Sequence, residues 1–264
     1  MANQLEFLVD KRALEHTQWG ERPLPAALQP NQLLLQVDRF ALTANNITYA
    51  VAGQSMHYWQ FFPVDDVWGL IPVWGFADVV DSAHPEVVVG ERLYGYYPMA
   101  THLLIEAGQV SPRQLLDVSA HRQDLARVYN QYQRAQYQRA AAAAGASRQA
   151  EDAQMLYRPL FTTSFLLDDF LADRDFFAAG RVILTSASSK TSLGLAHLLH
   201  QRGGRVQVVG LTSPANTGFV AGLGCYDEVL TYDDIDRLLR EPSVVVDMAG
   251  NGGALKALHD RLDD

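Results

Sequence analysis

Arg181 to Ser213, RVILTSASSKTSLGLAHLLHQRGGRVQVVGLTS, is the stretch on which the fold turns. Val182-Ile183-Leu184 is a short, β-branched apolar run, too brief for a helix, and it predicts a buried strand. Ser186 to Lys190 is small and polar and can turn sharply. Leu193, Ala196, His197, Leu199 and His200 then recur at helical spacing, and Gly203-Gly204 supplies the stop. Val206 to Leu211 predicts a second strand. Strand, tight turn, helix and strand within so short a span form the βαβ unit of a parallel sheet. Its helix N-terminus points backbone N–H groups at a phosphate, so the stretch reads as a dinucleotide site.

The alternation continues past Ser213. Asn216 to Leu223 predicts a helix, Asp227 to Thr231 a strand and Asp233 to Arg240 a helix. Val244-Val245-Val246 predicts a buried strand, and Gly253 to Leu262 begins another helix. A doubly wound sheet normally carries about six strands. Four are expected here, so the Rossmann-type sheet is expected to be truncated at its C-terminal end.

Upstream the texture is β. Leu33 to Val37, Val73 to Val80, Arg92 to Tyr96 and Thr101 to Ile105 predict strands, with Pro23, Pro25, Pro30, Pro63, Pro72 and Gly90 between or beside them. So many short strands suggest a barrel-like domain. The aromatic run Tyr58 to Trp74 reads either as core packing or as a substrate wall. From His121 to Met155 the chain is rich in Ala, Gln, Arg and Tyr, and two helices broken around Gly145 are expected. They would form a spacer or a lid. Pro159 is expected to end them, and Leu160 to Leu171 to form a buried helix before the first Rossmann strand. The expected domains are 1–118, β-rich; 119–158, helical; and 159–264, Rossmann-type.

Composition narrows the partners. Of 264 residues, 48% are hydrophobic and 19% charged, as in an ordinary globular protein. A net charge of −9 argues against nucleic acid or an anionic membrane, which need a surplus of Lys and Arg. The single cysteine, Cys225, leaves no intrachain disulfide and suits a reducing cytoplasm. No stretch has the length and apolarity of a signal peptide or a membrane span.

Several segments resemble the medium-chain dehydrogenase/reductase superfamily. Leu223-Gly224-Cys225-Tyr226-Asp227 and Asp247-Met248-Ala249-Gly250 are similar to stretches near its third and fourth Rossmann strands. VDRFALTANNITYAVAG resembles the segment where its zinc-free quinone oxidoreductases place an Asn near the nicotinamide, and VVVGERLYGY resembles one of their strands. WGFADVV, YGYYPMATHL, QMLYRPLFTTSFLLDDFL and SASSKTSLGLA look like an uncharacterised branch carrying a domain-of-unknown-function label. The resemblance implies a GroES-like N-terminal domain, a Rossmann domain and, in a full-length form, a homodimer joined through the last sheet strands.

Two departures stand out. Ala41-Leu42-Thr43-Ala44-Asn45 lacks the Cys of the zinc alcohol dehydrogenases, so no metal is expected. The phosphate loop, Ala187-Ser188-Ser189-Lys190-Thr191-Ser192, contains no glycine. Its hydroxyls and Lys190 still suit a phosphate; the lesser reading of Lys190 is a solvated charge at a loop tip. A P-loop would need glycines where Leu184 and Ser189 stand.

The end of the second strand carries Thr212, Ser213 and Asn216 with no carboxylate through Phe219, which favours NADP over NAD. The expected cofactor residues are Ser188, Ser189, Lys190, Thr191, Thr212, Ser213 and Asn216. Asp247, Gly250, Thr162 and Thr163 join them by resemblance. Asn45, by its match to the quinone-reductase segment, and Tyr49, as proton donor or core residue, are the catalytic candidates, with Tyr97 and His102 weaker ones. The expected activity is NADP(H)-dependent, zinc-independent hydride transfer to a small-molecule quinone, enone or carbonyl. The alternative is a non-catalytic NADP-binding module.

Overall fold

The apolar runs around Leu33, Val73 and Leu93 become neighbouring barrel strands in the computed structural model, which describes residues 3–135 and 148–262. These divide into two units, Met1–Leu156 and Tyr157–Asp264. The first unit begins with β1 (Asn3–Asp10), β2 (Thr17–Pro23) and β3 (Gln32–Ala41), followed by α1 (Ala44–Val51). Then come β4 (Trp68–Gly69), β5 (Pro72–Ser82), β6 (Arg92–Pro98), β7 (His102–Gly108), β8 (Gln114–Asp117) and β9 (Gln131–Arg134). A closed barrel runs β3-β5-β6-β9-β8-β7, beside a three-stranded sheet β2-β1-β4.

The aromatic run supplies core. Tyr58, Trp59, Phe61 and Phe62 are buried, each contributing about 1.5–3 kcal/mol by its burial. Trp59 fits only because Gly53 and Gly69 lack side chains: a Cβ there would stand 2.1 Å and 2.6 Å from its ring.

The expected helices between His121 and Met155 need correction. Two short 3-10 turns, Ala120–Arg122 and Arg127–Asn130, lead into β9, which closes the barrel. Packing overrides propensity here. The ring of Tyr132 lies over Gly95, where a Cβ would stand 2.3 Å away, and its hydroxyl donates to the Tyr96 carbonyl at 2.7 Å. Arg134 holds the end of β9 through Glu91 at 2.6 Å. Arg148 to Met155 is helical, as expected, while the break around Gly145 falls on residues 136–147, outside the described residues.

Pro159 does not end a helix either. α2 runs from Arg148 to Asp173 with Pro159 inside it. The ring removes one backbone bond, but side-chain anchors hold the helix on both sides. Glu151 accepts from Arg92 at 2.9 Å, and Asp168 accepts from Arg202 at 2.7 and 2.8 Å. Leu160 to Leu171 is less buried than expected. Ser164, Asp168 and Leu171 face inward, while Phe161, Phe165, Leu166 and Phe170 are exposed.

The second unit continues with β10 (Arg181–Leu184), α3 (Lys190–Gln201), β11 (Gln207–Thr212) and α4 (Thr217–Gly222). β12 (Glu228–Thr231), β13 (Ser243–Val246) and α5 (Gly252–Leu262) complete it. The helix expected over Asp233 to Arg240 is instead a 3-10 turn, Tyr232–Arg237. The four strands lie in the order β12-β11-β10-β13, all parallel. All four of the expected strands are therefore present. Among the described residues, no helix is long and apolar enough to cross a membrane.

Candidate dinucleotide site

The loop after β10 is built from small side chains that bond to their surroundings. Ser186 takes a left-handed conformation (φ 49°), and its N–H donates to the Tyr232 hydroxyl at 2.8 Å. The Ala187 N–H donates to the Leu211 carbonyl at 2.9 Å, and the Tyr226 hydroxyl donates to the Ala187 carbonyl at 2.9 Å. Ser189 is the N-cap of α3, accepting the Ser192 N–H at 3.3 Å. Ser192 is buried and donates to the Thr185 carbonyl at 2.8 Å.

The close approaches expected of loop glycines are made elsewhere. A Cβ on Gly210 of β11 would stand 2.9 Å from the Ala187 Cβ and 2.8 Å from the Tyr226 ring. A Cβ on Gly194 of α3 would stand 2.7 Å from Ser164 Oγ, which donates to the Thr191 carbonyl at 2.8 Å. The loop keeps its close packing because its neighbours are glycines.

The open side of the loop favours an anion. The N–H groups of Ser188, Lys190 and Thr191 have no partner among the described residues. Lys190, the first residue of α3, is exposed and makes no ion pair among them. Unpaired N–H groups and a cation at a helix N-terminus form a phosphate-binding arrangement. That donor set fits a dinucleotide pyrophosphate.

The end of β11 joins this loop directly. Asn216 Nδ2 donates to Ser188 Oγ and to Ser213 Oγ, each at 3.2 Å. Thr212 beside them is buried. On the other flank, Thr185 Oγ1 donates to Asp247 Oδ1 at 2.6 Å and accepts the Met248 and Ala249 N–H groups at 2.8 and 3.0 Å. Asp247 Oδ1 also accepts the Gly250 N–H at 3.3 Å, and Gly250 is left-handed (φ 63°). Asp247 and Gly250 thus shape the turn after β13.

Thr162 and Thr163 are on α2 and exposed, and their hydroxyls donate to the Arg158 and Pro159 carbonyls at 2.8 and 3.5 Å. The neighbouring Ser164, rather than either threonine, touches α3. Thr185 and Tyr232 carry no role in the sequence reading, and Tyr226 enters it only as part of the stretch Leu223 to Asp227. For Thr185 a signal existed: one polar residue directly after a wholly apolar strand.

The catalytic candidates belong to the first unit. Asn45 is half-buried in the first turn of α1. Its neighbour Asn46 is buried and structural, accepting the Thr43 N–H at 2.6 Å and donating to the Pro72 carbonyl at 2.9 Å. Tyr49 is buried, and its hydroxyl accepts the Trp74 indole N–H at 3.3 Å. Its ring packs against Tyr58 and Tyr96 at 4.7 and 5.6 Å between centroids. Burial raises the Tyr49 hydroxyl above its usual range, against the opposing bonds from Trp74 and Asn45. Tyr97 is a fully buried core residue that donates to the Leu93 carbonyl at 3.0 Å. Among the described residues, no three His, Cys, Asp or Glu side chains converge as metal ligands.

The β-rich unit and the four-stranded parallel sheet match the GroES-like and Rossmann folds. One similar solved structure is a quinone oxidoreductase from Coxiella burnetii, at 14% identity and a TM-score of 0.53, covering 99% of this chain and 74% of that one. Another is a mutant enoyl thioester reductase from Candida tropicalis, at 11% identity and a TM-score of 0.57, covering 99% and 73%. The Etr1p/NADP/crotonyl-CoA complex gives 11% identity and a TM-score of 0.58, covering 99% and 73%. No curated protein matches the chain. Residues 40–264 match the family described as "Protein of unknown function (DUF2855)", and the chain belongs to that family.

Proposed function

We propose that the chain binds NADP(H) at the carboxyl edge of its parallel sheet and acts as a zinc-independent oxidoreductase on a quinone, enone or carbonyl compound. The Ser188–Asn216–Ser213 bridge carries the reading. It ties the phosphate-facing loop to the end of β11 and offers hydroxyl and amide groups there. No carboxylate occurs from Thr212 through Phe219. An acid at this place would accept from a ribose 2′-hydroxyl, whereas neutral donors accommodate a 2′-phosphate. Lys190 and the free N–H groups around it suit the pyrophosphate. The likeness of fold to a reductase solved with NADP supports a nicotinamide cofactor.

When bound, NADPH supplies a hydride to an electrophilic carbon. By family resemblance the substrate-side candidates are Asn45, whose amide can donate to a substrate oxygen, and Tyr49. Because burial holds the Tyr49 proton tightly, Tyr49 acts as a hydrogen-bond donor rather than as a free acid at neutral pH. Thr162 and Thr163 are assigned to the nicotinamide end by family resemblance.

The test measures NADPH binding by fluorescence, then NADPH oxidation with a quinone, an enone and an aldehyde. Binding followed by oxidation with at least one of them is expected. Tight binding with no oxidation would leave a non-catalytic NADP-binding module, and absence of binding would overturn the reading altogether.

A further inference from the structure

A concavity of about 240 Å³ opens in the first unit; it is lined by none of the expected cofactor residues, nor by Asn45 or Tyr49, and of the weaker catalytic candidates it includes His102. Its lining includes Phe61, Phe62, Leu70 and Leu103 together with Pro23, Pro25, Pro63 and Pro98. Proline has no backbone N–H, so these four positions offer a ligand only acceptors.

The polar side chains of the lining are arranged with little net charge. Glu6 is 4% exposed, and its Oε1 accepts from Gln4 Nε2 at 2.6 Å and lies 3.1 Å from Arg22 Nε. The carboxylate and the guanidinium cancel. Thr101 Oγ1 accepts the Leu5 N–H at 3.0 Å and stands 3.0 Å from His102 Nδ1. Either tautomer satisfies that contact; the one in which the Thr101 hydroxyl donates to Nδ1 leaves the imidazole proton on Nε2, where His102 can donate to a ligand. His121 bonds the Phe61 backbone. Desolvation lowers the pKa of both imidazoles, and the Arg122 charge adds to the effect at His121 although its rim is exposed. At neutral pH both rings are therefore uncharged.

Charge balance, an apolar wall and side-chain donors together select an occupant. We propose that this concavity binds a small uncharged cyclic ketone, its ring against Phe61 and Phe62 and its carbonyl accepting from His102 Nε2–H. Its volume of about 240 Å³ leaves room for one small ring system. A charged analogue would have to shed its hydration against this wall, where the Glu6 and Arg22 charges are already paired with each other. The inference is independent of the reductase reading, because it needs neither cofactor nor hydride transfer.

The experiment is ligand-observed NMR and calorimetry on the full chain, with 1-tetralone, 1-naphthoate and 1-naphthylmethylammonium as probes. Tetralone should bind, and the two ions at least about tenfold more weakly. His102→Phe should weaken tetralone about fivefold by removing one hydrogen bond, while His102→Gln, which keeps a donor, should retain most of the affinity. Leu104→Trp, at a partly exposed lining position, should block the site. Circular dichroism would verify that each variant folds. No binding of tetralone, equal binding of all three probes, or wild-type affinity in both His102→Phe and Leu104→Trp would overturn the proposal.

Discussion

Ser213→Asp is the substitution that interrogates the proposed cofactor most directly. Ser213 Oγ lies 3.2 Å from Asn216 Nδ2, so an aspartate there keeps an amide donor while adding a negative charge. If a 2′-phosphate sits beside these groups, two like charges roughly 6 Å apart at an effective dielectric of about 40 repel by about 1.4 kcal/mol. A doubly charged phosphate doubles that figure. The NADPH dissociation constant should therefore rise about tenfold to a hundredfold, at about 1.4 kcal/mol per decade. NADH should bind equally well or better, because the carboxylate accepts from a 2′-hydroxyl. Fluorescence titration of both cofactors against wild type and variant gives the ratio. Raising the salt should shrink the difference, since the repulsion is screened. An equal loss for both cofactors would reduce Ser213 to a turn residue, and unchanged NADPH affinity would refute the placement of the 2′-phosphate.

Lys190→Ala should weaken NADPH about tenfold to a hundredfold, the scale of one charge-assisted hydrogen bond, and flatten the salt dependence of binding. Its urea midpoint should barely move because the side chain is exposed and unpaired among the described residues; unchanged affinity would return Lys190 to solvent. Gly194→Ala should destabilise the second unit by about 1–3 kcal/mol, since the new Cβ would stand 2.7 Å from Ser164 Oγ. Urea denaturation that shows no loss would contradict the close packing of α2 on α3. Glu91→Gln addresses acid stability. Burial raises the Glu91 carboxyl, but the bonds from Arg134 and from the Val88 N–H outweigh it and hold the group below 4.5. A depressed carboxylate stabilises the fold above its unfolded pKa and loses that contribution as pH falls through the folded value. The variant should be less stable at neutral pH and lose less stability than wild type below about pH 4.5, as read from urea midpoints across pH.

What could be read from one dimension was what repeats or alternates locally. Val182 to Leu184, the spaced residues of α3 and the valines of β13 announce a parallel sheet, because a buried strand needs an uninterrupted apolar run. The polar residues at the ends of these strands were legible for the same reason. Ser188, Ser213 and Asn216 follow directly on β10 and β11, and strands laid parallel bring their carboxyl ends together. Tertiary structure decided the rest. β9 had a helix-forming sequence, and only the space over Gly95 made Tyr132 worth more as a strand residue. Pro159 stays inside α2 because ion pairs and packing far along the chain hold the helix on either side. The glycine-free loop keeps its close packing through Gly194 and Gly210, whose importance depends on neighbours that no local window contains. Thr185 becomes a hub for the same reason: its partners, Asp247 to Ala249, reach it only when β13 lies beside β10. Propensity and periodicity act over a few residues, whereas a close contact between distant segments exists only once the chain has folded.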